Sequence, residues 1–147
     1  PLYEESERLY QSIGASAAAY PRYNLALVAF EKGNFAAGER ILDQVAPIFV
    51  RLGHRATQAD VHLIRGVLAA KRGDWADWDA HLAAALILYE ETGVADAETA
   101  RTAELAARTA EDAGDPERAR AAWQIAATQW GLLGQPDAED QVLSRLS

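Results

Sequence analysis

The chain has 147 residues, half of them hydrophobic, with 14 basic and 22 acidic side chains and a formal net charge of -8. This length suits a single domain with its own core, and the acidic balance argues against a nucleic-acid partner, because phosphate binding needs clustered Lys and Arg. The chain has no cysteine, which excludes disulfides, thiolate metal sites and a cysteine nucleophile.

The sequence indicates neither export nor membrane insertion. It shows no signal-type start and no apolar run near the roughly 18 residues that a spanning helix needs. We therefore expect a cytoplasmic protein without a membrane partner, and the lack of cysteine agrees with that compartment. Because the chain begins at Pro1 without a methionine, we also expect a fragment of a longer protein.

Single glycines recur with a period of about 40 residues, which indicates an internal repeat. One set, in short turns, comprises Gly33, Gly73 and Gly114. Each glycine of a second set has an aromatic residue four positions before it: Gly14, Gly53, Gly93 and Gly134, after Tyr10, Phe49, Tyr89 and Trp130. Apolar residues between the glycines follow three- and four-residue steps, which predicts helices that end at the glycines.

The predicted elements are eight helices, in chain order near residues 2–13, 17–32, 35–52, 56–72, 75–92, 96–113, 116–133 and 137–146. Pro21 is expected to trim or kink the second helix, and Pro47 to bend the third. Asn34, Asp74 and Asp115 each follow a short-turn glycine, where their side chains can cap the next helix.

We expect residues 1–147 to form one domain built from repeated units. The units are a lone helix at 1–14, helix pairs at 15–53, 54–93 and 94–134, and a capping helix at 135–147. The last helix has one apolar side. If that side is exposed it would drive homodimerisation, which stays an alternative.

The pattern resembles the tetratricopeptide repeat. The resemblance rests on the turn dipeptides "GN", "GD" and "GD", on small residues before each turn and on a bulky residue after it. The small residues are Ala26, Ala29, Gly66, Ala69, Ala107 and Ala110, and the bulky ones are Leu42, Leu82 and Trp123. The period is similar to that of the long-repeat variety found in bacterial serine/threonine kinases, signal-transduction ATPases and transcription regulators. The resemblance implies an all-α fold, a right-handed superhelix, or solenoid, of antiparallel helix pairs.

Two features depart from the family pattern. Trp78 stands where the family prefers a small residue, so we expect the middle helix pair to splay or the ring to turn outward, which makes Trp78 a candidate surface aromatic. The large aromatic usual near the start of each first helix is replaced by Arg22, His62 and Ala103.

The resemblance also implies a binding surface, because the first helix of each pair usually lines the concave side of such an array. Carried over to this chain, the candidate protein-binding residues are Tyr23, Leu27, Phe30, Leu63, Val67, Lys71, Arg101 and Arg108. An apolar floor with arginines at one end suits a peptide or an amphipathic helix. The alternative, that other segments cover this apolar surface, stays open.

Residues suited to catalysis or to a cofactor do not converge in the sequence. His62 and His81 belong to one helix pair, but their distances from the shared turn differ by about three residues, or one helical turn. We expect each to be a polar residue at a packing edge and not a metal ligand. The chain is therefore predicted to be no enzyme and to hold neither metal nor cofactor.

These observations favour a protein–protein interaction or scaffold domain that docks a peptide, a partner protein or another domain of its own chain. The alternative is a regulatory or sensor domain that follows a kinase or ATPase module and acts by intramolecular packing or by binding a small ligand.

Overall fold

A computed structural model describes the backbone of residues 2–146 and the side chains of residues 17–146. Within that range the chain is all-helical, and no strand occurs. The helices are α1 (Leu2–Glu31), α2 (Phe35–Leu52), α3 (Arg55–Lys71), α4 (Trp75–Thr92), α5 (Ala97–Asp112), α6 (Pro116–Leu132) and α7 (Pro136–Leu143), followed by a 3₁₀ turn at Ser144–Leu146. Neighbouring helices pack in pairs, among them α1 with α2, α5 with α6, and α6 with α7.

Six of the seven glycines predicted to end helices have the left-handed backbone conformation expected there. The glycines with positive φ are Gly33, Gly53, Gly73, Gly93, Gly114 and Gly134. At the first short turn the amide of Gly33 donates to the Phe30 carbonyl, and that of Asn34 donates to the Ala29 carbonyl. This pair of bonds is a Schellman motif, and it needs the left-handed backbone that glycine adopts cheaply.

The expected break at Gly14 is wrong, because Gly14 lies inside the single helix α1. Pro21, which was expected to trim or kink the second helix, also lies inside α1 and does not shorten it. Alanines and serines surround Gly14, and a mid-helix glycine costs only about 1 kcal/mol relative to alanine. The two predicted helices at 2–13 and 17–32 are therefore one, and the described part of the chain has seven α-helices.

The helix starts follow the predicted capping chemistry at two of three turns. The Asp74 carboxylate accepts from the amide of Asp77, and that of Asp115 accepts from the amide of Arg118, both at 3.1 Å. The Asn34 side chain makes no such bond, so the prediction is wrong for α2. At the two capped starts the aspartates satisfy donors that a helix N-terminus otherwise leaves unpaired.

The chain divides into two compact units, Pro1–Gln58 and Ala59–Ser147, where the sequence predicts one domain. In the first, Phe49 of α2 packs edge-on against Tyr23 of α1, with ring centroids 5.7 Å apart. The second has a core of small residues from α5 and α6 around a few large ones, Trp78, Leu82 and Trp123. Alanine is favoured here because it lets helix axes approach closely while retaining high helix propensity.

Trp78 belongs to the core of the second unit, and its expected exposure is wrong: the side chain is 1% exposed. A methyl group on Gly66 of α3 would lie 3.7 Å from the Trp78 ring and 3.1 Å from Leu82. The missing side chain at Gly66 therefore leaves room for Leu82, while the methyl group would be in ordinary contact with the indole. The small residue that the repeat pattern expects at position 78 is replaced by a large one opposite a glycine.

Candidate docking groove

The apolar residues of the predicted binding surface belong to the core. Tyr23, Phe30, Leu63 and Val67 are buried, and Leu27 is half-buried. The prediction of an exposed apolar floor is therefore wrong, and the covered alternative describes these side chains. In the second unit the reason is that α3 is buried on most sides, with ten buried residues between Ala59 and Ala70.

The charged members of the predicted surface, Lys71, Arg101 and Arg108, are exposed. Arg101 pairs with Glu98 at 3.3 Å, and Arg108 pairs with Glu104 at 3.4 Å, each within α5. The Arg108 guanidinium also lies 5.9 Å from the centre of the Trp123 ring. Both arginines are thus engaged by neighbouring side chains of their own chain.

An exposed apolar groove lies between α4 and α6, within the second unit. The part near the helix ends has a volume of about 420 Å³ and is lined mainly by apolar side chains, among them Leu86, Val94, Ile125 and Leu132. A second concavity continues it toward the helix starts, and Leu86 and Ala121 line both. The early residues of both helices line one end and the late residues the other, so α4 and α6 run parallel along the groove.

Three of the groove's large apolar side chains are open to solvent. Leu86 is 42% exposed, Val94 51% and Leu132 62%. Single exposed apolar residues are ordinary, but a cluster along one groove is typical of an interaction site. We name this surface the α4–α6 groove.

Charged residues surround the start of the groove. Arg118 donates to both carboxylate oxygens of Asp79, at 2.9 and 2.8 Å, and to Asp115 at 2.7 Å. These hydrogen bonds lower the pKa of both aspartates, so both stay ionised at neutral pH. The Arg118 guanidinium also lies 5.1 Å from the centre of the Trp75 ring. The arginine is held by its own chain, and the acidic Glu117 lies beside it in the groove lining.

Tyr89 connects the groove to a buried carboxylate. Its ring lines the groove, and its hydroxyl donates to Asp60 Oδ1 of α3 at 2.8 Å. Thr99 Oγ1 of α5 donates to the same oxygen at 2.7 Å. Burial raises the pKa of Asp60 to about 6 against the lowering effect of these two hydrogen bonds, and Asp96 and Glu98 raise it further. The carboxylate thus links three helices beneath the groove.

His62 and His81 are in contact, which the sequence reasoning did not expect. Their Nδ1 atoms lie 3.0 Å apart, and the rings are tilted by 36°. Burial lowers the pKa of both, and for His62 the charge of His81 lowers it further. An axial offset of about 4.5 Å is within the combined reach of two imidazole side chains. Among the described residues no group of three potential ligands is arranged for a metal ion.

Three consecutive aliphatic residues in the sequence indicate an exposed apolar surface, which the repeat pattern alone does not predict. Leu86, Ile87 and Leu88 are consecutive, and successive residues of a helix point about 100° apart. Three such neighbours cannot all face one core. Leu86 and Ile87 are exposed while Leu88 is half-buried.

Comparison with protein families, with characterised proteins and with solved structures gives no match to this chain. Of the helices in the described range, none combines the length and the apolar character needed to cross a bilayer.

Proposed function

We propose that this chain is a protein-docking domain of tetratricopeptide-like architecture and that its site is the α4–α6 groove. The architecture is supported by paired helices, by glycine-ended turns at the repeat period, and by buried small residues such as Ala69, Ala107 and Ala110. The mechanism is non-covalent: an apolar segment of a partner covers exposed apolar side chains of the groove.

The observation that carries the proposal is the exposure of Leu86, Val94 and Leu132 along one groove. Full burial of an exposed leucine side chain contributes roughly 1.5 to 3 kcal/mol, so these three partly exposed side chains supply a part of the free energy of binding, and other contacts along the groove supply the rest. The groove follows two parallel helices, and a helical segment with an apolar stripe matches that shape.

Selection from a random peptide library on the immobilised domain tests this. We expect enrichment of peptides with apolar residues at i, i+3 or i+4, and i+7. Leu86→Asp combined with Leu132→Asp should abolish their binding, because two carboxylates would enter the apolar contact. Binding is measured by fluorescence anisotropy.

Leu25→Asp combined with Val50→Asp is the matched control, since both residues are exposed apolar positions of the first unit. This variant should bind the selected peptides as the wild type does. Equal binding by all three proteins, or selection of peptides without an apolar stripe, would refute the groove as the docking site.

A sensor or regulatory role is the second candidate, in which the groove accepts a small apolar ligand or a neighbouring domain of a longer chain. Its volume of about 420 Å³ favours the ligand form, because small-molecule sites commonly occupy about 300 to 1,000 Å³. A screen for small ligands that raise the melting temperature of the wild type, but not of the Leu86→Asp/Leu132→Asp variant, distinguishes this role.

A further inference from the structure

We propose that the occupant of the α4–α6 groove is a basic amphipathic helix of a partner protein, with a Lys or Arg near each end of its apolar stripe. This inference rests on the proposed docking function and specifies the chemistry of the partner. It follows from the charges at the two ends of the groove.

The end formed by the helix starts is net negative. Asp79 and Asp115 contribute two negative charges and Arg118 one positive charge, which leaves one negative charge. Glu117 makes the sum minus two. Arg118 is hydrogen-bonded to both aspartates, so its charge is already compensated and offers little attraction to an acidic ligand.

The opposite end is also negative. Glu90 is exposed and lines the groove near Val94 and Leu132. Among the residues that line the two parts of the groove, all of which lie in the described range, Arg118 is the one Lys or Arg. A partner with acidic residues at its ends would meet like charges, and one with basic residues would meet opposite charges.

The distance between the two acidic ends of the groove defines the distance between the basic residues on the partner, and Asp79 and Glu90 mark these ends on α4. Asp79 and Glu90 are separated by 11 positions along α4, which corresponds to about 16 Å along the helix axis. A partner helix lying along the groove would place its basic residues about eleven positions apart, with three or four apolar residues between them. Such a segment is about 16 residues long, or four to five turns.

The experiment compares peptide selection on the wild type with selection on Glu90→Lys/Glu117→Lys. From a random library of helical peptides of about 16 residues, the wild type should enrich sequences with basic residues at both ends of the apolar stripe. The reversed variant should enrich acidic residues at those ends. The best wild-type peptide should bind the reversed variant at least about tenfold more weakly, as two attractive contacts become repulsive.

The matched control is Glu31→Lys/Asp112→Lys, which changes the net charge equally at exposed positions outside the groove lining. Its affinity for the wild-type peptide should fall less than about threefold at low salt and should equal that of the wild type near 0.5 M salt, because charges that do not contact the peptide are screened by salt. Circular dichroism verifies that each variant is folded.

The outcomes separate this inference from the docking function. If the selected peptides carry an apolar stripe but no preferred charge, and bind both charge variants equally, the basic partner is refuted while apolar docking stands. If Leu86→Asp/Leu132→Asp binds the selected peptides as the wild type does, the docking site itself is refuted. If sedimentation shows a dimer that Leu86→Asp dissolves and no peptide is enriched, a second copy of the chain is the occupant and the inference is refuted.

Discussion

At the scale of single residues, two glycines that lie inside helices, Gly38 and Gly131, differ in the atoms that surround them. A methyl group on Gly38 of α2 would lie 2.6 Å from the buried Phe30 ring, which itself packs against Phe35. The atoms nearest to a methyl group on Gly131 of α6 would be those of the Glu139 carboxylate, the end of a flexible side chain. The same substitution should therefore have opposite effects at the two sites.

Gly38→Ala should lower the free energy of unfolding by about 1 to 3 kcal/mol, since the added methyl group would force the buried Phe30 ring to move. Gly131→Ala should leave stability unchanged or raise it by up to about 1 kcal/mol, because alanine favours the helix and Glu139 can move. Urea unfolding measures both values. Equal stability of the two variants would show that the Phe30 ring does not restrict position 38.

At the scale of elements, Trp78 joins α4 to α3. Its ring lies opposite Gly66 and makes an edge contact with Trp75, with centroids 5.7 Å apart. Trp75 is half-buried and partly covered by Arg118, while Trp78 is fully enclosed. Two tryptophans three positions apart therefore have different roles, the first at a surface and the second in the core.

Trp78→Ala should destabilise the protein by about 3 to 5 kcal/mol, because it leaves a cavity between helices that cannot collapse completely. Trp75→Ala is the control and should cost less, since its ring already contacts solvent. Thermal and urea unfolding followed by circular dichroism measure the two losses. A larger loss for Trp75→Ala would contradict the assignment of Trp78 to the core.

At the scale of the whole molecule, the free energy of unfolding depends on pH through groups whose pKa values are shifted in opposite directions. Asp60 has a pKa of about 6 in the folded chain, above its ordinary value of 3.8, so the folded state binds more protons between these values. Its contribution to stability is complete at low pH and is lost as pH rises through about 6. His62 and His81 have lowered pKa values, so their contribution is lost as pH falls below their ordinary value of 6.5.

Asp60→Asn isolates the first effect, because the histidines remain in both proteins. The free energy of unfolding of the wild type minus that of the variant should fall by up to about 3 kcal/mol between pH 4 and 7. Chemical denaturation across this range measures the difference. A difference independent of pH would contradict the raised pKa of Asp60.

The sequence by itself determined the helix positions and most of their ends, because glycines at a regular period and three- to four-residue apolar steps act through local backbone preferences. The prediction from sequence was wrong at Gly14. A glycine at the repeat period predicts a helix end there, but the helix continues through its alanine and serine neighbours. Only the tertiary structure decided that Trp78 is buried opposite Gly66, that His62 meets His81, and that the exposed apolar groove lies between α4 and α6. These facts depend on which faces of separate helices meet, and burial is a property of the packed pair and not of either helix alone.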